Sequence, residues 1–223
     1  MISIVPDLLD SPALARLREL VATASFVDGK ATAGPRAQRV KNNEMMEAET
    51  PAALEARGLI MTALNASKLF SRVAFPKRAQ PPMINRYGPQ MEYGAHIDNA
   101  LMGKQPALRS DIALTIFISD PEDYDGGELT IEGDFGRHKV KRPAGQMVVY
   151  PSSSLHRVMP ITRGTRVVAV SWIESYVRDP AKRQILFDME RARAKLNELA
   201  PQSTEADLAF KSYTNLMRMW AET

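Results

Sequence analysis

The chain has 223 residues, of which 44% are hydrophobic and 25% charged, as in an ordinary globular protein of one domain or of a domain with an appendage. It contains no cysteine, which excludes disulfides, iron–sulfur clusters and thiol chemistry, and its net charge of +3 comes without the long Lys/Arg run that would favour nucleic acid. No apolar run reaches the roughly 18 residues that span a bilayer, and the N-terminus lacks the features of a signal peptide, so we expect a cytoplasmic protein.

The first third of the chain predicts a short strand and two helices. Ser11 and Thr50 each precede a proline, the pattern of an N-cap followed by the first helical residue. Apolar residues recur at helical spacing after Ser11, and the second helix should run to about Ala66. The polar segment from Arg36 to Met46 fits a solvated loop or an edge strand, although part of it could line a pocket.

The middle of the chain predicts about eight short strands separated by turns. Apolar alternation is clearest from Ile112 to Ile118 and from Thr165 to Tyr176. Because no helix alternates with these strands, the pattern favours a β-sandwich or barrel over a parallel sheet. We therefore predict a mainly β protein with flanking helices, whose core is a double-stranded β-helix, or jelly roll.

Two further helices are predicted near the C-terminus, at residues 180–199 and 204–221, on either side of Pro201. Each carries an apolar stripe, which fits an extension packed on the β core; a dimer contact or a substrate lid is the alternative. We expect a jelly-roll domain with N-terminal helices at residues 1–178 and a C-terminal helical extension at 179–223. The apolar extension makes a homodimer the expected assembly.

His96 and Asp98 are the first candidates for a metal site. Alternate residues of a strand point to one side, roughly 6.6 Å apart along it, so these two side chains can bind one ion. Of the two remaining histidines, His138 lies among lysine and arginine residues, where a dication is unfavourable. We choose His156, which follows a turn near the end of the β region, as the third metal-binding and catalytic residue. Two imidazoles and one carboxylate form the facial ligand set of non-heme Fe(II) oxygenases.

Arg166 follows His156 by ten residues, on the last predicted strand. Alternation places it on the same face as Val168, Val170 and Trp172, inside the predicted barrel. A buried guanidinium needs an anion, and its planar fork matches a carboxylate. An internal salt bridge would satisfy it, but beside a metal site the anion becomes a dicarboxylate that also chelates the metal.

Other segments extend the pattern of His96, Asp98, His156 and Arg166. They are Lys41-Asn42-Asn43, Arg86-Tyr87, Tyr93 to Ala100, Asp125 to Leu129, and Trp172. The combination resembles the Fe(II)/2-oxoglutarate dioxygenases, and within them the bacterial PKHD-type hydroxylases, also called PiuC-like iron-uptake factors. The resemblance covers nearly the whole chain.

The resemblance implies that the three metal ligands hold Fe(II) and that 2-oxoglutarate is the co-substrate. Arg166 would bind the distal carboxylate of 2-oxoglutarate, and Tyr87 would lie near its metal-chelating end. In the oxygen-sensing prolyl hydroxylases of animals, a tyrosine on the central strand assists this arginine. Phe117 stands there in this sequence, so Thr115, on the same strand face, is the candidate substitute.

The implied reaction couples the oxidative decarboxylation of 2-oxoglutarate to hydroxylation of a C–H bond by O2, with ascorbate as an expected accessory. A prolyl, lysyl or amino-acid-like substrate and a link to iron uptake are expected from relatives alone. A cupin-like metalloenzyme without 2-oxoglutarate and a non-catalytic metal-binding regulatory domain are the alternatives. A nucleic-acid demethylase is disfavoured because no basic stripe with interleaved aromatic residues is found. We expect neither a nucleic acid nor a membrane as partner.

Overall fold

The computed structural model describes residues 1–103, 105–133 and 136–223, which contain seventeen strands and six α-helices. The helices are α1 (Ser11–Thr23), α2 (Pro35–Gln38), α3 (Pro51–Ala66), α4 (Lys68–Ala74), α5 (Pro180–Leu199) and α6 (Thr204–Trp220). The strands are β1 (Ser3–Val5), β2 (Phe26–Asp28), β3 (Lys41–Asn42), β4 (Glu44–Met46), β5 (Pro76–Ala79), β6 (Met83–Tyr87), β7 (Glu92–His96), β8 (Leu101–Met102), β9 (Leu108–Arg109), β10 (Ile112–Phe117), β11 (Tyr124–Gly126), β12 (Leu129–Gly133), β13 (Gly136–Val140), β14 (Met147–Pro151), β15 (His156–Val158), β16 (Ile161–Gly164) and β17 (Arg166–Ser175).

Two antiparallel sheets form the body of the protein. The larger has the order β1-β14-β10-β17-β6-β4-β2, with β5 also paired to β17, and the smaller has the order β13-β12-β15-β7-β3. Neighbouring strands are mostly distant in sequence, and buried side chains from both sheets share one interior. This is the jelly-roll arrangement. The prediction of a mainly β protein with this core and flanking helices is confirmed.

Strand β10 separates two hydrophobic cores by simple alternation. Leu114 and Ile116 pack in the core between the larger sheet and helices α1 and α3, while Ala113 and Phe117 face the interior between the sheets. Strand β17 divides its residues in the same way. The alternation predicted for both strands is confirmed, and it decides which residues can reach a site between the sheets.

The N-terminal helices begin at capping residues. The hydroxyl of Thr50 accepts a hydrogen bond from the Ala53 amide, as its sequence context predicts. For α1 the cap is Asp10, whose carboxylate accepts from the Ala13 amide, and Ser11 is the first helical residue. The expected cap was therefore one residue too late, because both Asp and Ser are good N-caps and spacing alone does not separate them.

The segment between Arg36 and Met46 contains an edge strand, one of the two forms expected for it. Strand β3 pairs with the start of β7 and forms the edge of the smaller sheet, and β4 joins the larger one. Lys41, in β3, is only 6% exposed. A segment that reads as polar thus brings a charged side chain into the interior.

Helices α5 and α6 pack against each other and against the end of β17. Leu186 of α5 is buried with Phe75 and Val177, and apolar residues of α6 cover this cluster. The buried Arg183 guanidinium donates hydrogen bonds to the carbonyls of Val177 and Arg178, at 2.7 and 2.8 Å. The extension is therefore attached to the β core by apolar and polar contacts. None of the described helices combines the length and the apolar character needed to cross a membrane.

Candidate metal and co-substrate site

A cavity of about 610 Å³ lies between the two sheets, within the size range of small-molecule binding sites. All six residues singled out by the sequence line it, namely Tyr87, His96, Asp98, Thr115, His156 and Arg166. Five of them lie on strands of the two sheets, and Asp98 lies in the segment after β7. His138, the histidine set aside above, is exposed on β13.

The three candidate metal ligands converge in this cavity. His96 ends β7 and pairs with His156, the first residue of β15, while Asp98 lies two residues beyond the end of β7. The alternation of inward and outward side chains continues past the end of the strand: Ile97 is 56% exposed, whereas the Asp98 side chain is buried. One ligand atom from each residue lies within 4.8 Å of the others.

Hydrogen bonds orient both imidazoles. His96 Nδ1 lies 2.8 Å from the Gly94 carbonyl oxygen, and His156 Nδ1 lies 3.0 Å from that of Ser154. A carbonyl only accepts, so each Nδ1 carries the proton and donates it, which leaves the Nε2 lone pair available to a metal. Burial, helped by the neighbouring His156, lowers the pKa of His96 to about 3 and keeps the ring neutral.

The Asp98 carboxylate completes the set. Burial raises its pKa, whereas His156, the Trp172 indole N–H and Lys41 oppose the rise. Its Oδ2 atom is buried without a hydrogen-bond partner among the described residues. A buried carboxylate oxygen beside two imidazole lone pairs lacks the positive charge that a divalent cation supplies. The residues present therefore fit Fe(II).

Arg166 lies in the same cavity and is 1% exposed. The centre of its guanidinium lies 5.2 Å from the Tyr87 ring and 5.9 Å from the Phe117 ring. Its Nε and Nη1 atoms have no hydrogen-bond partner within the described part of the chain, where no carboxylate forms an ion pair with it. An internal salt bridge, the simplest alternative, is thus absent there, and the guanidinium is available to an anion in the cavity.

Two hydroxyl groups are candidates to assist Arg166. Thr115 lines the cavity, and its hydroxyl interacts with the phenol of Tyr150. Tyr124 lies beside Arg166; burial raises the pKa of its phenol, and the arginine charge opposes this shift. The Tyr124 hydroxyl is buried without a formed hydrogen bond to any described residue. The sequence reasoning missed Tyr124, although it directly precedes the quoted segment from Asp125 to Leu129.

Further side chains border the site, among them Lys41, from the segment for which the sequence offers a pocket lining as the alternative. The Tyr93 ring stacks on His96, with centroids 3.6 Å apart and planes 15° apart. The ammonium of Lys41 lies 5.3 Å from the centre of the Tyr93 ring and donates to the Thr32 hydroxyl at 3.2 Å. Both Lys41 and Thr32 line the cavity. The available signal was the Lys41-Asn42-Asn43 segment, but no periodicity showed which way its side chains point.

Comparison with known proteins agrees with this geometry. A family model described as the 2OG-Fe(II) oxygenase superfamily matches residues 82–174, and one described as the PKHD-type hydroxylase C-terminal domain matches residues 180–222. A PKHD-type hydroxylase of Synechococcus elongatus is 44% identical over 223 residues, covering 100% of both chains. One of Xanthomonas campestris is 41% identical over 223 residues, covering 98% of both.

A solved structure shows the same fold. It is a prolyl hydroxylase from Trichoplax adhaerens in complex with a peptide fragment of the hypoxia inducible factor oxygen degradation domain. The two chains are 16% identical, the match covers 83% of this chain and 86% of the other, and the TM-score is 0.59. With relatives of more than 40% identity over the full length, the chain belongs to the PKHD-type hydroxylases of the 2OG-Fe(II) oxygenase superfamily, oxidoreductases that use Fe(II) and 2-oxoglutarate.

Proposed function

We propose that this enzyme hydroxylates a C–H bond of a prolyl, lysyl or other amino-acid-like group, coupled to the conversion of 2-oxoglutarate and O2 to succinate and CO2. The observation that carries the proposal is the shared cavity of the metal-ligand triad and Arg166, whose guanidinium has buried donors without a described partner. One molecule that both chelates a metal and ends in a carboxylate satisfies both parts of the site.

Each side chain has a separate role in this proposal. His96, Asp98 and His156 hold Fe(II), which supplies the chemistry of oxygen activation when bound. Arg166 binds the distal carboxylate of 2-oxoglutarate, while Tyr87 and Thr115 lie along the co-substrate. The carbonyls of Gly94 and Ser154 hold the imidazoles in the required tautomer. The burial of these groups limits the access of water to the reacting atoms.

The test is an anaerobic titration of the apo-protein with Fe(II) and 2-oxoglutarate, followed by visible absorption. We expect a charge-transfer band in the wild type and in His138→Ala, whose histidine is exposed on β13, and none in His156→Ala. Succinate release under air then shows turnover. A wild type that binds iron but gives neither band nor succinate would contradict the proposal and favour the cupin-like alternative.

Further proposals rest on the sequence pattern, the composition or the resemblance, and they need separate tests. We propose two structural units, residues 1–178 and 179–223, and a homodimer formed through the second, which sedimentation can check. Ascorbate as an accessory reductant, a role in iron uptake and a cytoplasmic location stay predictions. So does the absence of a nucleic-acid partner, which a binding assay with single- and double-stranded oligonucleotides would examine.

A further inference from the structure

Lys41 is a buried cation that the proposed reaction does not use. It lies on β3, at the edge of the smaller sheet, and its side chain enters the same cavity as the metal ligands. The Tyr93 ring stacks on the His96 imidazole, and its centre lies 5.3 Å from the Lys41 ammonium. Lys41 therefore borders the metal site without belonging to the ligand triad.

The Lys41 ammonium has few partners. It carries three N–H donors, and the hydrogen bond that the structure gives it is the one to the Thr32 hydroxyl. No carboxylate of the described chain lies within the 4.0 Å of an ion pair. Burial lowers its pKa to about 8, and the more distant carboxylates of Asp28 and Asp98 offset this only in part. The ammonium thus has capacity for a further acceptor.

The charges of the loaded cavity point to the kind of acceptor. The described residues that line the cavity include two cationic side chains, Lys41 and Arg166, and one carboxylate, Asp98. With a divalent ion and 2-oxoglutarate bound, the dianion and Asp98 together offset the metal and Arg166. One positive charge, that of Lys41, is left over, and a buried charge of this kind requires an anionic partner.

We propose that Lys41 binds a carboxylate of the primary substrate, so that the enzyme acts on a small carboxylic acid, such as a free amino acid, rather than on an internal residue of a polypeptide. This inference rests on the proposed function. A carboxylate brings one negative charge and matches the single positive charge that remains, whereas a phosphate dianion would leave negative charge buried. An internal prolyl or lysyl residue has no carboxylate on its backbone to offer.

The test uses propionate, a simple carboxylate, with neutral propionamide of similar shape as the comparison. The protein is loaded with Mn(II) and excess 2-oxoglutarate, and paramagnetic relaxation of the probe protons reports binding near the metal. Lys41→Met removes the charge, and Lys41→Arg keeps it. Lys30→Met is the matched control, because it makes the same change at an exposed lysine of the neighbouring turn. Water proton relaxation measures Mn(II) binding independently.

We expect propionate to be relaxed in the wild type, Lys41→Arg and Lys30→Met, and its affinity to fall by at least about tenfold in Lys41→Met, with Mn(II) binding unchanged. Equal relaxation by propionamide, or an unchanged propionate affinity in Lys41→Met, would overturn the inference. So would the absence of propionate relaxation in the loaded wild type. If Mn(II) itself fails to bind the wild type, the proposed metal site fails first, and the inference fails with it.

Discussion

Each imidazole of the proposed metal site is held by a backbone carbonyl two residues earlier in the chain, at Gly94 and at Ser154. Such contacts fix the ring orientation and raise the basicity of the ligating nitrogen. The sequence identifies the two histidines through their spacing to Asp98 and Arg166. It does not show the carbonyls, because their direction depends on the backbone path before each histidine.

The proposed role of Arg166 as the co-substrate anchor can be tested by removing its charge. Arg166→Met should raise the KM for 2-oxoglutarate by about a hundredfold, since a buried charge-assisted, bidentate contact is lost. Iron affinity, measured separately, should change little. Arg163→Met is the matched control, because Arg163 is exposed and pairs with Asp125. Equal KM values for Arg166→Met and the wild type would place the co-substrate anchor elsewhere.

Tyr124 and Thr115 are the two candidates for a hydroxyl that assists Arg166, and substitutions can separate them. Tyr124→Phe should raise the KM for 2-oxoglutarate about fivefold to tenfold, because its buried hydroxyl lies beside the guanidinium and has no other described partner. Thr115→Val should have a smaller effect, because its hydroxyl already interacts with Tyr150. Steady-state succinate release at varied 2-oxoglutarate measures both. A larger effect from Thr115→Val would assign the assisting role to Thr115 instead.

Two adjacent glycines, Gly126 and Gly127, lie at the turn between strands β11 and β12. Gly126 and Gly127 have φ values of +74° and +67°, which L side chains rarely adopt. A Cβ on Gly127 would lie 2.4 Å from Ile161 Cδ1 and 3.0 Å from Arg166 Cδ. The backbone of the turn therefore lies directly beside the side chain of Arg166, the proposed co-substrate anchor.

The corresponding prediction is that Gly127→Ala destabilises the fold by about 1–3 kcal/mol and also raises the KM for 2-oxoglutarate. Gly58→Ala is the control, because a Cβ there, within helix α3, meets open space. It should instead add up to about 1 kcal/mol of stability. Urea unfolding and succinate kinetics measure the two effects. A Gly127→Ala variant with wild-type stability and KM would show that the turn can shift without moving Arg166.

The bounds predicted from the sequence are closest for the elements that carry a strong period. Strands β10 and β17 and helices α3, α5 and α6 were expected close to their observed bounds because their apolar residues recur regularly. Strands β3, β4, β8 and β9 have two or three residues each, which is too short for a period. Strands β3 and β4 form by pairing with the longer strands β7 and β6, and β8 and β9 pair with each other, which is a tertiary effect that sequence spacing does not contain.

The two hydrophobic cores differ in their relation to the candidate site. The core between the larger sheet and the helices holds a large cluster of buried apolar side chains, whereas the interior between the sheets opens into the cavity with the candidate ligands. His96 and His156 stand opposite each other on adjacent strands, although sixty residues separate them in the chain. The sequence indicated which residues would meet but could not supply this strand order, which depends on how the two sheets close.

Because the proposed metal site joins two strands and the segment after β7, metal binding should stabilise the whole fold. A ligand at one hundred times its Kd adds about 2.7 kcal/mol, which for a chain of this size corresponds to a rise in Tm of roughly 5–10 °C. We expect this rise in anaerobic calorimetry with Fe(II), and also with Mn(II), for the wild type and for His138→Ala. His156→Ala should show no rise, since the triad loses one of its two imidazoles. A rise that persists in His156→Ala but disappears in His138→Ala would move the metal to the exposed β13 hairpin and would separate it from Arg166.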